Sequence, residues 1–232
     1  GTKPFNDKRV RLAMAHAINR DEIVQAVWGG NATPQMTSLP PWYFMADTSI
    51  QAPEYDPDKA KALLKEAGYP DVCEIELMQG VYSTGLTMAA VLQAQLEKAG
   101  FKVNIKTGDA DGIYSFVFDK TWQAFSMRGN TSIVGLYPDV MTRWTSQQVS
   151  NNASEEELAP LVQAFQDADA IPASETEKRK QAYSDIQKMM NEDQRMIYLV
   201  NRKGLTASVP TVHGVTMAPD GVPDELTSVT VG

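Results

Sequence analysis

The side chains that most often act as nucleophile, base or metal ligand are scarce in this chain: two histidines, His16 and His213, and one cysteine, Cys73. Neither histidine has a Cys or a carboxylate at metal-ligand spacing beside it, so no metal site built by this chain is expected. Cys73 lies in an alternating apolar run, where a thiol behaves as a small buried hydrophobe. A hydrolase with a strained nucleophile turn needs Gly-x-Ser-x-Gly after a strand. The nearest string, Gly80-Val81-Tyr82-Ser83-Thr84-Gly85, has the wrong spacing, and Ser83 reads as a helix cap. There is no Gly-x-x-x-x-Gly-Lys-Ser/Thr and no Gly-x-Gly-x-x-Gly, so no nucleotide cofactor is expected. Carboxylates are abundant, 29 Asp and Glu together, and spacing alone neither finds nor excludes an acid–base pair among them. Catalytic residues and cofactors are therefore both read as none.

What remains are side chains suited to holding a small molecule. Trp42 sits in a stretch, Thr33 to Pro53, whose prolines at 34, 40, 41 and 53 remove backbone donors. So long a loop is usually kept for binding or covering something, which makes Trp42 a candidate ligand contact or else a plug of the core below. Arg128 opens a Gly- and Ser-containing loop, 128–138, and its guanidinium suits a carboxylate or phosphate.

The elements that must position these residues follow from periodicity. Val10, Ala13, Met14, Ala17 and Ile18 share a helical face. A second helix starts after Asn19 and stops at Gly29 and Gly30. Asp56-Pro57 opens a third, closed by Gly68 and followed by Cys73, Ile75 and Leu77 at strand period. The unit then repeats: a helix from Ser83 to Ala99, Gly100, then Phe101, Val103 and Ile105 alternating. Two helix–strand units predict an α/β fold with a sheet flanked by helices. Residues 122–127 read as a third strand and 141–144 as a short helix. Two more helices carry Leu158, Leu161, Val162 and Phe165, then Ala182, Ile186, Met189 and Met190. Arg195 to Val200 and Gly204 to Val209 read as strands, and the stretch from Pro210 as part of a different sheet. The runs Glu155-Glu156-Glu157 and Lys178-Arg179-Lys180 read as solvated surface.

Composition narrows the partners. A hydrophobic fraction of 43% over 232 residues sustains a folded core. The net charge of −8 offers no basic stripe, so nucleic acid is not an expected partner. No apolar run is long enough for membrane insertion, and Gly1 to Asp7 lack the pattern of a signal peptide.

The opening Pro4-Phe5-Asn6-Asp7-Lys8-Arg9-Val10-Arg11-Leu12-Ala13, continuing through Ala17-Ile18-Asn19-Arg20-Asp21-Glu22-Ile23-Val24, resembles a block of extracytoplasmic solute-binding proteins of the peptide, opine and nickel class, family 5. Leu39-Pro40-Pro41, the string from Tyr55 to Tyr69 and the ending Val212-His213-Gly214-Val215 fit the same family. The resemblance implies a periplasmic-binding-protein-like lobe with a mixed β-sheet: residues 1–206 as the second, carboxy-terminal lobe of a two-lobed protein, and 207–232 as a tail returning to a first lobe. It implies a truncated chain, a periplasmic or extracellular, cell-surface location, and capture of a small-molecule or peptide solute for delivery to ABC transporter permease subunits.

In peptide-binding relatives the third strand carries a Trp and, three residues later, an Asp that receives the peptide's amino group. That pattern falls here on Met127 and Asn130. A competing alignment matches Tyr137-Pro138-Asp139 to a Tyr-Pro-Asp that often follows the Asp. Both place a cleft at the same loop, with Trp42, Met127, Arg128, Asn130, Tyr137 and Asp139 as ligand-binding candidates. The rival reading is an α/β hydrolase or transferase with its site at 128–139. A third is an interaction domain without solute.

Overall fold

The computed structural model describes residues 3–81, 84–109, 124–126, 153–205, 207–216 and 229–231. Helix α1 (Lys8–His16) begins where the Asp7 carboxylate accepts the Arg9 backbone N–H at 2.8 Å. Helix α2 (Arg20–Trp28) begins where Asn19 Oδ1 accepts the Glu22 N–H at 3.0 Å, with Asp21 and Glu22 in the first turn against the positive end of the helix dipole. Helix α3 (Pro57–Glu66) starts on Asp56, whose Oδ1 accepts from Lys59 N at 2.9 Å, and Pro57 fills the first turn where its missing donor costs nothing.

Strand β2 (Cys73–Gly80) is central: β3 (Phe101–Gly108) and β4 (Ala124–Ser126) flank it, and both pairings are parallel. Helix α4 (Gly85–Lys98) connects β2 to β3. The two repeated helix ends have the same backbone solution, because Gly68 at φ 95° and Gly100 at φ 93° take the left-handed conformation that stops a helix; β3 then starts at once, β2 four residues later. At Gly100 a Cβ would make only ordinary contact with Leu64 and Lys61 at 3.5 Å, so the positive φ is what favours glycine there. Between sheet and helices lies a core of Val10, Ala13, Ile18, Ile23, Leu64, Cys73, Ile75, Leu92, Leu96, Phe101 and Val103, among others. Cys73 is fully buried there, and burial pushes its thiol up to about 11.

A second, smaller core lies between α5 (Glu155–Ala170) and α6 (Thr176–Asp193), built on Phe165, Ala168, Tyr183, Ile186 and Met190. Ser154 and Glu157 form a reciprocal capping box at the start of α5, so Glu157 is part of the helix terminus rather than only solvated surface. Val162 faces outward on α5 and Ala168 inward.

Two of the expected strands come out differently. Only Val200–Arg202 (β5) is regular, and it pairs antiparallel with Ala32–Pro34 (β1), which the proline-rich composition had placed in a loop. The alternation read over 195–200 is nonetheless physical. Ile197 and Leu199 pack toward the first core while Met196 and Tyr198 pack toward the second, so both faces are covered without a ladder. The segment from Gly204 to Val209 forms no strand among its described residues, and Leu205 and Val209 stand in solvent. Val212–His213 (β6) and Thr230–Val231 (β7) make a separate antiparallel pair, as the change in composition after Pro210 predicted. The expected helix at 141–144 and the Ser83 cap lie outside the described residues.

Charged side chains join the two cores. The buried Arg11 guanidinium on α1 donates to Phe5 O at 2.9 Å and to the backbone and carboxylate of Asp193 at the end of α6. Arg20 on α2 donates to Tyr198 O at 2.8 Å and to Pro53 O at 3.2 Å. Arg195 reaches Glu157 at 2.9 Å and Asp193 at 2.6 Å.

Candidate functional site

Because β2, β3 and β4 run parallel, their carboxy ends finish together. Gly80 lies opposite Gly108, Gln79 opposite Ser126, and Val81 N donates to Gly108 O at 3.0 Å. The crevice outside the carboxyl ends of such strands is where open α/β sheets receive ligands. Strand β4 delivers the chain to this end at Ser126, one residue before Met127. Met127, Arg128, Asn130, Tyr137 and Asp139 themselves lie outside the described residues.

Trp42 is the sequence-predicted site residue that the structure describes, and it does not plug the core. It is 53% exposed, with Phe44 50% exposed beside it. Tyr43 stands between them, edge-on to Trp42 with centroids 6.4 Å apart and tilted against Phe44 at 5.0 Å, distances at which aromatic pairs attract. The plugging is done by Leu39 and Met45, which pack against the core of α5 and α6. Local backbone bonds shape the tip: Tyr43 N to Pro40 O and Ala46 N to Tyr43 O, both 2.9 Å.

Side chains of α6 fasten this loop. Gln187, buried to 1% exposure, accepts at Oε1 from Thr37 Oγ1 and from Asp47 N, both at 3.2 Å, and donates from Nε2 to Met45 O and Tyr183 O, both at 3.0 Å. Ser184 Oγ donates to Asp47 Oδ2, and Asn191 Nδ2 to Gln51 O at 2.8 Å. Hydrogen bonds from Ser184 and Ser49 hold the Asp47 carboxyl below the usual carboxylate range, so it is anionic at neutral pH. The sequence reading missed Gln187. A faint signal was available: it lies four residues after Tyr183 and next to Ile186, on the inward face of a helix otherwise rich in charge.

Among the described residues no group of three or more His, Cys, Asp or Glu stands close enough to hold a metal ion, and no helix is long and apolar enough to cross a membrane. What the arrangement offers is the shared carboxyl end of three parallel strands and an exposed aromatic surface on a tied loop.

Residues 1–152 match the family described as bacterial extracellular solute-binding proteins, family 5 Middle. The chain belongs to this family. Among its relatives, the glutathione-binding protein GsiB of Salmonella paratyphi A (strain ATCC 9150 / SARB42) is 28% identical over 94% of this chain and 44% of its own length. The dipeptide-binding protein of Escherichia coli (strain K12) is 37% identical over 45% of this chain and 21% of its own. The fold is similar to that of the dipeptide-binding protein of Pseudoalteromonas sp. SM9913, solved with Met-Leu: TM-score 0.80 at 23% identity, covering 100% of this chain and 46% of that one. The chain thus spans less than half the length of these relatives. They are named as binding proteins, and that weighs against the hydrolase or transferase reading.

Proposed function

We propose that residues 1–206 form the carboxy-terminal lobe of a two-lobed extracytoplasmic solute-binding protein, with 207–232 returning toward the other lobe. Its function is to capture a peptide-sized solute and deliver it to ABC transporter permease subunits, outside the cytoplasmic membrane, with no bond made or broken. The family match over residues 1–152 carries this reading. Peptides lead the candidate solutes because similar proteins are named for glutathione and dipeptides.

Trp42, Met127, Arg128, Asn130, Tyr137 and Asp139 are the proposed contacts. Asn130, where peptide-binding relatives carry Asp, accepts a hydrogen bond from an ammonium but brings no opposing charge, so a free amino terminus is held less strongly. Arg128 offsets this by favouring a solute with a free carboxylate. Closure of two lobes over the solute is the motion such a site requires.

The experiment is a thermal-shift screen of the two-lobed protein that contains this chain against glutathione, dipeptides, opines and nickel chelates, since a ligand bound only by the folded state raises its melting temperature. A saturable shift with a peptide is the expected result. A shift with opines or chelates alone reassigns the solute. No shift with any of them, together with turnover in a parallel activity screen, overturns the binding reading.

A further inference from the structure

Gln187 touches both limbs of the aromatic loop at once. Thr37 on the incoming limb, whose one hydroxyl hydrogen is shared with Leu39 O at 3.1 Å, and Asp47 on the outgoing limb converge on one oxygen, Gln187 Oε1, each at 3.2 Å. The same amide's nitrogen takes Met45 O at 3.0 Å and is steadied by Tyr183 O of its own helix at 3.0 Å. Residues 38–46 are therefore drawn into a closed excursion whose two limbs meet on one buried side chain, with Ser184 also holding Asp47, and whose tip carries Trp42, Tyr43 and Phe44. Compact loops with pinched ends of this kind hold their shape through their own packing. Here Leu39 and Met45 tuck inward while Trp42 and Phe44 stay out. The amide uses both lone pairs and both N–H groups, so no apolar or charged side chain of similar size replaces it without orphaning buried partners.

We propose that Gln187 is a positioning residue for solute binding: through its amide, helix α6 sets where Trp42 and Phe44 stand, and so pre-organises an aromatic surface for the solute. This rests on the reading of Trp42 as a solute contact. A pre-organised loop binds without a large ordering cost, whereas a released one has to be ordered at each binding event.

Gln95 supplies the matching control. It is equally buried and clamps Asn19 and Glu22 through Oε1 and Nε2 at 3.0–3.1 Å, on α4 and away from the aromatic loop. The test compares Gln187→Leu, the milder Thr37→Val, Gln95→Leu and Trp42→Ala in the two-lobed protein that contains this chain. Two readouts are used: amide hydrogen exchange at residues 38–47, and calorimetric affinity for glutathione and for the dipeptide Met-Leu.

The expected result is faster exchange at 38–47 and affinity weakened about tenfold in Gln187→Leu, a smaller change of both in Thr37→Val, and neither in Gln95→Leu. Unchanged exchange at 38–47 in both Gln187→Leu and Thr37→Val overturns the clamp, and Thr37→Val decides this if Gln187→Leu does not fold. Weakened affinity in Trp42→Ala but not in the clamp variants also overturns the positioning role. If Trp42→Ala binds as well as the parent, or neither probe binds the parent, the proposal fails with the solute-contact reading beneath it, while the exchange data still report the clamp separately.

Discussion

The two cores of this protein are held together by different means. The first is aliphatic and regular: Ile75, Leu92, Leu96 and Val103 meet between a parallel sheet and its helices, and the buried polar side chain Gln95 joins one helix to the cap of another. The second is smaller and built on Phe165, Tyr183, Ile186 and Met190, and its buried polar side chain, Gln187, fastens irregular backbone. Regular elements satisfy their own backbone groups, so the buried polar side chains around the first core, Arg11, His16, Arg20 and Gln95 among them, serve the helix cap and the chain segments at its edges. A loop with four prolines between 34 and 53 cannot satisfy its own, and depends on side chains from elsewhere.

Truncating one large side chain in each core tests how independent the two are. Phe165→Ala is expected to cost about 3–5 kcal/mol and Leu64→Ala about 2–5 kcal/mol, both being buried to 2% exposure or less. Because the segment 195–200 is half-buried against both cores and Arg11 and Arg20 span them, each variant should still unfold in one transition. Urea melts followed by tryptophan emission and by circular dichroism should coincide, and two separated midpoints would show that the cores melt independently.

The link between the cores is the next largest effect. Arg11→Met leaves the Phe5 carbonyl without its charged donor and the Asp193 carboxylate with Arg195 alone, a loss of about 2–3 kcal/mol in the same urea melts. A change below about 0.5 kcal/mol would mean the joint is held by apolar packing alone.

A smaller effect belongs to Glu157, where α5 meets Arg195. Hydrogen bonds from Ser154 N, then the Arg195 guanidinium, hold its carboxyl down at about 2, from an ordinary 4.5. A depressed folded-state pKa gives stability that is full above about 4.5 and is lost as pH falls toward 2. The side chain is 39% exposed, so solvent screening limits the contribution to about 1 kcal/mol. Parent and Glu157→Gln should differ at pH 7, with the difference shrinking below about 4.5 and vanishing only toward pH 2 in urea melts, while a constant difference would assign the effect to packing. Smallest of all, Lys102→Ala removes a pair with Glu74 in which both partners are more than half exposed, and is expected to shift stability by less than about 0.5 kcal/mol.

Much of the first core was legible in the residues. Asp7, Asn19 and Asp56 cap, Gly68 and Gly100 turn, and Cys73, Ile75 and Leu77 alternate inward, because these are short-range effects that act within a few residues of chain. The family was legible too, in the opening block and the Tyr55–Tyr69 string. The alternation of 195–200 was legible, but the strand inferred from it was not borne out: regular pairing is confined to Val200–Arg202. An alternating pattern reports two unlike faces and leaves open whether they meet a neighbouring strand or two separate cores.

Sequence by itself determined the α/β class, the family and the absence of the usual nucleotide and nucleophile motifs, since each is written in local periodicity or a contiguous string. Only the tertiary structure decided that Trp42 faces solvent while Leu39 and Met45 fill the space beneath, that β1 finds its partner in β5, and that Gln187 rather than any loop residue closes the neck of the loop. Those outcomes depend on which groups meet across more than a hundred residues of chain, between Thr37 or Asp47 and Gln187 or between Ala32 and Arg202. Such meetings are set by how two cores pack against each other, and no local pattern encodes them.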